Sequence, residues 1–325
     1  MILLVTPAPP DSPHGNGVTA RRWGRILNEL GHEVRIAETY RGGRYSALIA
    51  LHARKSADSV RSFRADHPRA PVVIATTGTD LYPDLVTAGV DPAVLAIASR
   101  LIVLQPLGLA QLDPWLRERA RVVIQSVPPI PRLPACESFF EVAFLAHVRP
   151  VKDPAVLAAA LRRLPASSKI RVTHVGAARD DVLAAELAAE AASNPRYVWH
   201  GPCPRDEALR VLARSKLMAL TSRHEGGANV VSEALAAGVP VISSAIPGSI
   251  GLLGEDYPGY FPVGDADALA ERLDAAEQDR DGYYRQLQEH CATLRPMVDP
   301  QREKNAFAAL LAELAVPASG EARQR

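Results

Sequence analysis

Short apolar runs alternate with longer segments of helical periodicity along the first 125 residues. Six of these runs predict buried strands, at 2–5, 34–37, 47–51, 72–76, 101–104 and 122–124. After the first run, a loop rich in Pro and Gly extends to Gly17, and apolar residues then recur at helical spacing over 18–30. A strand, a helix and a second strand in this order are typical of a parallel sheet.

A second series of the same kind follows a proline-rich segment, 126–134, which cannot form a helix or a central strand. Its strands are predicted at 142–146, 170–175, 197–200, 217–220 and 239–243, and its helices at 154–164, 181–192, 205–213 and 230–237. Three more helices are expected at 266–278, 283–294 and 300–314, before a polar tail, 317–325, that is expected to be disordered. The pattern predicts an α/β protein of two doubly wound, Rossmann-like domains, 1–130 and 138–298, with ligand in a cleft between their strand ends.

Charge and cysteine content exclude several classes of protein. The 37 Lys and Arg nearly balance the 36 Asp and Glu, which argues against nucleic acid or a polybasic membrane surface as a partner. The three cysteines are far apart, and no pair has metal-ligand spacing, which fits a reducing compartment. No apolar run approaches the roughly 20 residues of a spanning helix, and the N-terminus lacks the basic segment of a signal peptide. A soluble cytoplasmic protein is therefore expected.

The stretch 225–241 reads as a glycine-rich loop, a short helix over 229–237 that Gly238 ends, and a buried strand. Unpaired N–H groups at the start of a helix that follows glycines can bind phosphate. Glu233, one turn into the helix, can accept from a ribose diol, and Glu225 on the loop can accept from the hydroxyls of a second sugar. Phosphate, ribose and sugar together indicate a sugar nucleotide, and two solvated acids on a surface helix are the alternative. The expected donor-binding residues of this stretch are Gly226, Gly227, Ala228, Asn229, Val230 and Glu233.

Three segments at strand ends of the first domain form a second candidate anion site, at 11–19, 51–55 and 77–82. A helix N-terminus and several cations there suit an anionic acceptor. A solvated surface charge is the alternative for each cation, and for His52 and Asp80 acid–base chemistry and ordinary loop capping are equal alternatives. Gly15-Asn16-Gly17 has the first two glycines of a dinucleotide-binding fingerprint but lacks the third, so a nicotinamide dehydrogenase is poorly supported. The residues expected to contact the acceptor are Gly15, Asn16, Gly17, Arg22, His52, Arg54, Thr79 and Asp80.

Glu225-Gly226, Glu233-Ala234 and Gly238-Val239-Pro240-Val241 stand at the offsets of the donor motif of GT-B glycosyltransferases of the glycosyltransferase 4 type, which the chain resembles. In that family Gly-Arg, four residues and then Lys follow the first strand of the second domain, and both cations grip the donor diphosphate. Lys152 matches the Lys, His147 stands where the Arg would be, and Arg149 lies two residues later. The resemblance implies Arg149 and Lys152 as diphosphate ligands, because a permanent cation suits phosphate better than a neutral imidazole.

The same resemblance implies the rest of a GT-B enzyme. Its last helix, 299–316, is expected to cross back to the first domain, and the turn at Gly201 is expected to lie against the nucleobase. No metal or other cofactor is expected: Asp265-Ala266-Asp267 has the form of a metal-binding motif, but it precedes a helix, where Asp265 makes a good N-cap. The catalytic residues are then expected to be Arg149, Lys152 and Glu225, with His147 and Gly201 also in the donor site.

A closer resemblance covers nearly the whole chain. VTPAPPDSPHGNGVTARRW, ALHARKSADSVRSFR, TTGTDLY and LIVLQPLGL, with HVRPVKDP in the second domain, look like the selenosugar synthases of selenoneine biosynthesis (the SenB type). This resemblance implies transfer of a hexose, with N-acetylglucosamine as the expected sugar, from its UDP form to selenophosphate to give a 1-selenosugar. Two alternatives stay open. One is a glycosyltransferase 4 enzyme that acts on a hydroxyl of a small metabolite or lipid carrier, and the other is a non-catalytic sugar-nucleotide-binding protein.

Overall fold

The computed structural model describes residues 1–9, 15–316 and 318. The chain forms two compact units and passes from the first to the second between Ser126 and Val127. The first unit contains residues 1–126 and 225–227 and the chain from Pro300 onward, and the second unit contains residues 127–224 and 228–299.

Six parallel strands form the sheet of the first unit: β1 (Ile2–Val5), β2 (Val34–Ala37), β3 (Ala47–Leu51), β4 (Val72–Ala75), β5 (Arg100–Val103) and β6 (Ala120–Val122). Their order across the sheet is β2-β1-β3-β4-β5-β6. β1 and β3 are entirely buried and pair with Ile2 opposite Ala47. Strands that are covered on both faces read as continuous apolar runs, which is why the hydrophobic pattern identified them.

Helices cover both faces of this sheet. They are α1 (Gly15–Glu29), α2 (Ala57–Asp66), α3 (Pro92–Ile97) and α4 (Pro114–Arg117). Successive strand residues point to opposite faces, so two separate apolar clusters form. Leu3 and Val5 pack with residues of α2 and α3, whereas Ile2 and Leu4 pack with residues of α1.

The second unit has its own parallel sheet of six strands: β7 (Phe140–Leu145), β8 (Ile170–Val175), β9 (Tyr197–Trp199), β10 (Leu217–Leu220), β11 (Val241–Ser244) and β12 (Tyr260–Phe261). Their order is β12-β11-β10-β7-β8-β9. Its helices are α5 (Pro154–Arg163), α6 (Asp181–Ser193), α7 (Arg205–Arg214), α8 (Asn229–Ala237), α9 (Pro247–Leu253), α10 (Ala266–Glu277) and α11 (Tyr283–Leu294). Counted from β7, the strand order is that of dinucleotide-binding folds.

The last helix, α12 (Pro300–Glu313), belongs to the first unit and packs on α1. The rings of Trp23 and Phe307 meet edge to face with centroids 4.9 Å apart. Glu303 is 2% exposed and accepts from Arg22 Nε at 2.9 Å, from Trp23 Nε1 at 2.7 Å and from the backbone N of Ser126 at 2.9 Å. A buried carboxylate is costly unless it has such partners, so this cluster holds the end of the chain to the unit that begins it.

The predicted fold class, two doubly wound α/β domains with a C-terminal helix on the first, is confirmed. The differences are local: α1 begins at Gly15 and not at Val18, β6 lies two residues earlier than predicted, and α9 and β12 were not predicted. β11 begins at Val241 and not at Val239, because the intervening proline has no N–H for a sheet ladder. No helix in the described part of the chain is long and apolar enough to cross a membrane. The tail predicted to be disordered lies outside the described residues, apart from Ala318.

Candidate functional site

The strand order of the second sheet creates one point at which the chain changes direction. From β7 the chain continues through β8 and β9 on one side, and from β10 it continues through β11 and β12 on the other. β7 and β10 are adjacent and parallel, so the loops that follow them leave the same edge side by side. Doubly wound proteins bind ligands at such switch points. Arg149, which is exposed, and Lys152, which is half-buried, lie on the first loop, and Ala228–Val230 follow the second.

Three contacts hold these two loops together. Thr221 Oγ1 donates to the carbonyl oxygen of Lys152 at 2.7 Å, and the backbone N of Arg223 donates to the carbonyl oxygen of Val151 at 2.9 Å. Arg223 also pairs with Asp153, with 2.7 Å between Nη2 and Oδ2. The backbone that carries the predicted diphosphate cations is therefore fixed to the strand end that leads to α8.

The loops after β7, β8 and β9 meet in a tightly packed corner. His147 Nδ1 accepts from the backbone N of Ala177 at 3.1 Å. A Cβ at Gly176 would lie 1.8 Å from the carbonyl oxygen of Ala146, so only glycine permits this approach. The backbone N of Gly176 donates to the carbonyl oxygen of Gly201 at 2.9 Å. The predicted donor residues His147 and Gly201 thus lie on either side of Gly176.

His174, which sequence reasoning did not single out, lies buried on β8 at this corner. Its Nε2 donates to the carbonyl oxygen of Ala146 at 2.8 Å, and the Tyr197 hydroxyl donates to its Nδ1 at 2.7 Å. Both ring nitrogens are used by the neutral imidazole, and burial lowers the pKa of His174 to about 4. The only sequence signal was a lone histidine in an apolar strand, which is ordinarily a satisfied core residue.

Helix α8 has the predicted limits. It runs from Asn229 to Ala237, with Ala228 before it in extended conformation and Gly238 after it at a φ of 64°. Glu233 is 9% exposed and forms an ion pair with Arg205, the first residue of α7. Sequence reasoning missed Arg205. The signal was present, because a cation in the first turn of a helix opposes the helix dipole and calls for a nearby carboxylate.

The carboxyl edge of the first sheet is organised by Asp80. Its carboxylate is fully buried and accepts from the backbone N of Ala53 at 2.7 Å, of Thr77 at 2.8 Å and of Gly78 at 2.9 Å. Of the two alternatives, the geometry is that of loop capping, and it corrects the expectation that the Asp80 side chain contacts the acceptor. Asp80 instead fixes the loops after β3 and β4, as a positioning residue.

His52 and Thr79 lie on those two loops and touch each other. His52 Nε2 is 3.1 Å from Thr79 Oγ1, and His52 Nδ1 is 3.7 Å from Asp80 Oδ2. His52 has a left-handed φ of 70° and is 2% exposed, whereas Thr79 and Arg54 are exposed. Burial lowers the pKa of His52, and the charge of Asp80 opposes that shift only in part. Thr79 and Arg54 are therefore exposed at this edge, and their contact with an acceptor stays a prediction.

The other residues predicted to contact the acceptor lie on α1. Gly15, Asn16 and Gly17 form the first turn of α1, where a loop was predicted, and residues 10–14 lie outside the described part of the chain. Arg22 is 8% exposed, and its Nε donates to both carboxylate oxygens of Glu303. This ion pair places Arg22 in the packing of α12 on α1, and its contact with an acceptor stays a prediction.

Residues 225–227 pack within the first unit. A Cβ on Gly226 would lie 2.7 Å from the backbone N of Gly78 and from the carbonyl carbon and oxygen of Thr77. A Cβ on Gly227 would lie 2.6 Å from Leu104 Cβ. Glycines are required for the loop that carries Glu225 to lie directly on the capped loop after β4. The donor-binding role of Glu225, Gly226 and Gly227 stays a prediction.

Asp265 caps α10, as predicted. Its Oδ1 accepts from the backbone N of Ala268 at 2.9 Å, and Asp267 pairs with Arg163. Within the described ranges, no three His, Cys, Asp or Glu side chains are grouped as metal ligands.

Solved structures share this architecture over nearly the whole chain. Sucrose-phosphate synthase from Thermosynechococcus elongatus has a TM-score of 0.78 at 17% identity, covering 96% of this chain and 98% of its own. Anabaena HepE in complex with UDP and glucose has a TM-score of 0.74 at 15% identity, covering 96% and 99%. Two parallel six-stranded sheets with flanking helices, matched in this way, define a protein of the GT-B fold class.

The sequence comparison adds a family match over the second unit. Residues 132–293 match the family Glycosyl transferases group 1. The D-inositol 3-phosphate glycosyltransferase of Mycolicibacterium smegmatis is 31% identical over 189 residues, which cover 54% of this chain. The match spans 40% of the length of that relative. The chain thus has the GT-B fold, and its second unit matches the family model of the glycosyl transferases group 1.

Proposed function

We propose that the protein is a selenosugar synthase that transfers a hexose from a UDP-sugar to selenophosphate. In the reaction, the selenium attacks C1 of the hexose, the bond from C1 to the UDP oxygen breaks, and UDP leaves with the electron pair. Water then cleaves the bond between selenium and phosphorus, which releases inorganic phosphate and leaves the 1-selenosugar. N-acetylglucosamine is the proposed hexose.

The proposed donor site rests on the loops after β7 and β10, which leave the second sheet side by side at its switch point. Arg149 and Lys152 would hold the donor diphosphate together with the N-terminal N–H groups of α8, and Glu233 would accept from the ribose diol. Glu225 would accept from the hexose hydroxyls. The UDP and glucose in the HepE complex support a UDP-linked donor at a site of this fold.

Charge stabilisation at the leaving group would be the main catalytic device. Negative charge grows on the diphosphate as the bond to C1 breaks, and fixed cations stabilise that charge without reorganising. The contacts from Thr221 and Arg223 to the loop of Lys152 hold the backbone in place before the donor arrives. The same cations would allow transfer without a metal ion.

An anionic acceptor agrees with the edge of the first sheet. Arg54 and Thr79 are exposed there, on loops that Asp80 holds through three backbone N–H groups. Selenophosphate is already a strong nucleophile, so the buried and neutral His52 need not act as a base. The resemblance of the first-unit segments to selenosugar synthases supports selenium as the attacking atom.

A second candidate is transfer to a hydroxyl of a small phosphorylated metabolite. A sequence relative, D-inositol 3-phosphate glycosyltransferase, and a structural neighbour, sucrose-phosphate synthase, are both named for phosphate esters. An anion-binding edge would serve such an acceptor equally well.

The test is UDP release from UDP-N-acetylglucosamine or UDP-glucose by the purified protein with EDTA throughout. Parallel reactions contain selenophosphate, inorganic phosphate, inositol 3-phosphate or no acceptor. Release that depends on selenophosphate is the expected result. Release that depends on inositol 3-phosphate alone would favour the second candidate, and UDP-sugar binding without release in any reaction would favour a non-catalytic binding protein.

A further inference from the structure

The ion pair between Arg205 and Glu233 joins two helices at the candidate donor site. Arg205 opens α7, after the turn that contains Gly201, and Glu233 lies one turn inside α8. The Glu233 side chain is 11% exposed and that of Arg205 is 39% exposed. The carboxylate thus lies mostly below the surface, with the guanidinium above it at the solvent boundary.

The position of Arg205 is unfavourable without this partner. The first turn of a helix carries partial positive charge, so a cation there is destabilising, and α7 already has Asp206 and Glu207 in that turn. A mostly buried carboxylate is in turn costly without a cation or hydrogen-bond donors. The pair offsets both costs and holds one oxygen of the carboxylate, Oε1, because guanidinium donors are rigid and directional.

We propose that Arg205 is a positioning residue for the donor nucleotide, which orients the Glu233 carboxylate toward the ribose diol. This inference rests on the proposed use of a UDP-sugar. A carboxylate has about four lone-pair sites on two oxygens, so it can accept from a guanidinium and from a diol at once. Arg205 therefore acts through Glu233 and needs no contact with the diphosphate or the base.

The experiment measures the equilibrium affinity of the full chain for UDP and for 2′,3′-dideoxy-UDP by calorimetry. The variants are Arg205→Ala, Arg205→Lys and the control Arg210→Ala, which removes an exposed arginine from the same helix. Arg205→Ala is expected to weaken UDP binding about tenfold, the loss of one charge-assisted hydrogen bond, and to change dideoxy-UDP binding less than twofold. Arg205→Lys is expected to recover part of the UDP affinity, and Arg210→Ala to leave both affinities unchanged.

A second cycle separates positioning from packing. In a Glu233→Gln background, Arg205→Ala is expected to cause no further loss of UDP affinity. Equal losses for UDP and dideoxy-UDP in Arg205→Ala, or no loss for either, would overturn the inference while leaving the donor site standing. Failure of the wild-type protein to bind UDP at all would overturn the proposed function, and the inference with it.

Discussion

At the carboxyl edge of the second sheet, exposed arginines lie in the candidate site, whereas at the same edge of the first sheet a buried carboxylate holds the loops through their backbone N–H groups. Arg149, Arg205 and Arg223 are exposed on the second unit. On the first unit Asp80 and His52 are buried, and Arg54, Lys55 and Thr79 are exposed on the loops that they fix. The edge of the second sheet therefore presents several exposed arginines, and the edge of the first sheet presents loops that buried side chains hold in place.

The strand orders give this difference a physical basis. The second sheet has its switch point between β7 and β10, two strands whose loops both carry polar groups that suit a nucleotide. The first sheet has its switch point between β1 and β3, where α1 begins and where His52 follows the strand. A diphosphate needs cations, while a small acceptor needs a pocket of defined shape, so we infer that two versions of one fold divide the two substrates between them.

The strongest test of the first edge is Asp80→Ala. Three backbone N–H groups, two of them buried, would lose their acceptor, so the free energy of unfolding should fall by about 4 kcal/mol. The control is Asp84→Ala, since Asp84 is exposed and accepts from Thr87 at the surface. Urea unfolding of both variants measures the effect. Equal stability of the two variants would remove the distinction between the edges.

His174 is a buried support of the second edge. The pKa of His174 is about 4 in the folded chain, below its ordinary value of 6.5. Between these two pH values the unfolded chain binds a proton at His174 and the folded chain does not. The contribution of neutral His174 to the free energy of unfolding is therefore fully present above pH 6.5, and it decreases by about 3 kcal/mol as the pH falls to about 4. His174→Gln should flatten the stability profile in this window, whereas His200→Gln, at an exposed position, should not. An unchanged profile for His174→Gln would contradict the assignment.

At the level of turnover, Lys152→Ala should have a larger effect than any change at the first edge. Loss of a cation that stabilises the leaving diphosphate should lower the rate of UDP release about 100-fold. Lys169→Ala is the matched control, because Lys169 is exposed and precedes β8 at the opposite edge of the same sheet. Equal rates for the two variants would remove Lys152 from the site.

His52 should have the smallest effect. Because the proposed acceptor brings its own nucleophile, His52→Ala should lower UDP release by about tenfold or less, below the 100-fold typical of a lost general base. His52→Asn separates the side chain from the backbone, since asparagine tolerates the left-handed φ that alanine does not. A loss at His52 that exceeds those of Lys152→Ala and Glu233→Ala would assign it acid–base work.

The hydrophobic pattern predicted the strands because parallel strands buried on both faces read as apolar runs. It could predict the limits of α8 for a local reason, since glycines stand before and after that helix. Strand order was out of reach, because it depends on pairing between residues far apart in sequence. β12 has only two residues, too few for any periodicity.

For the candidate site, residue types were predictable but their partners were not. Arg22 and Arg54 look alike in sequence, yet Arg22 is buried against Glu303, 281 residues away, while Arg54 is exposed. The Arg205 and Glu233 pair likewise spans 28 residues. The fold determines which charged side chains form ion pairs. The sequence alone therefore could not separate cations that are available to a ligand from cations that are buried in ion pairs.

The division of substrates between the two units is tested most directly by calorimetric titration of UDP into the wild-type protein, Lys152→Ala and His52→Ala. The account predicts that UDP binds the wild type and His52→Ala with affinities within about twofold, and binds Lys152→Ala at least about tenfold more weakly. UDP affinity that is lost in His52→Ala and kept in Lys152→Ala would contradict it.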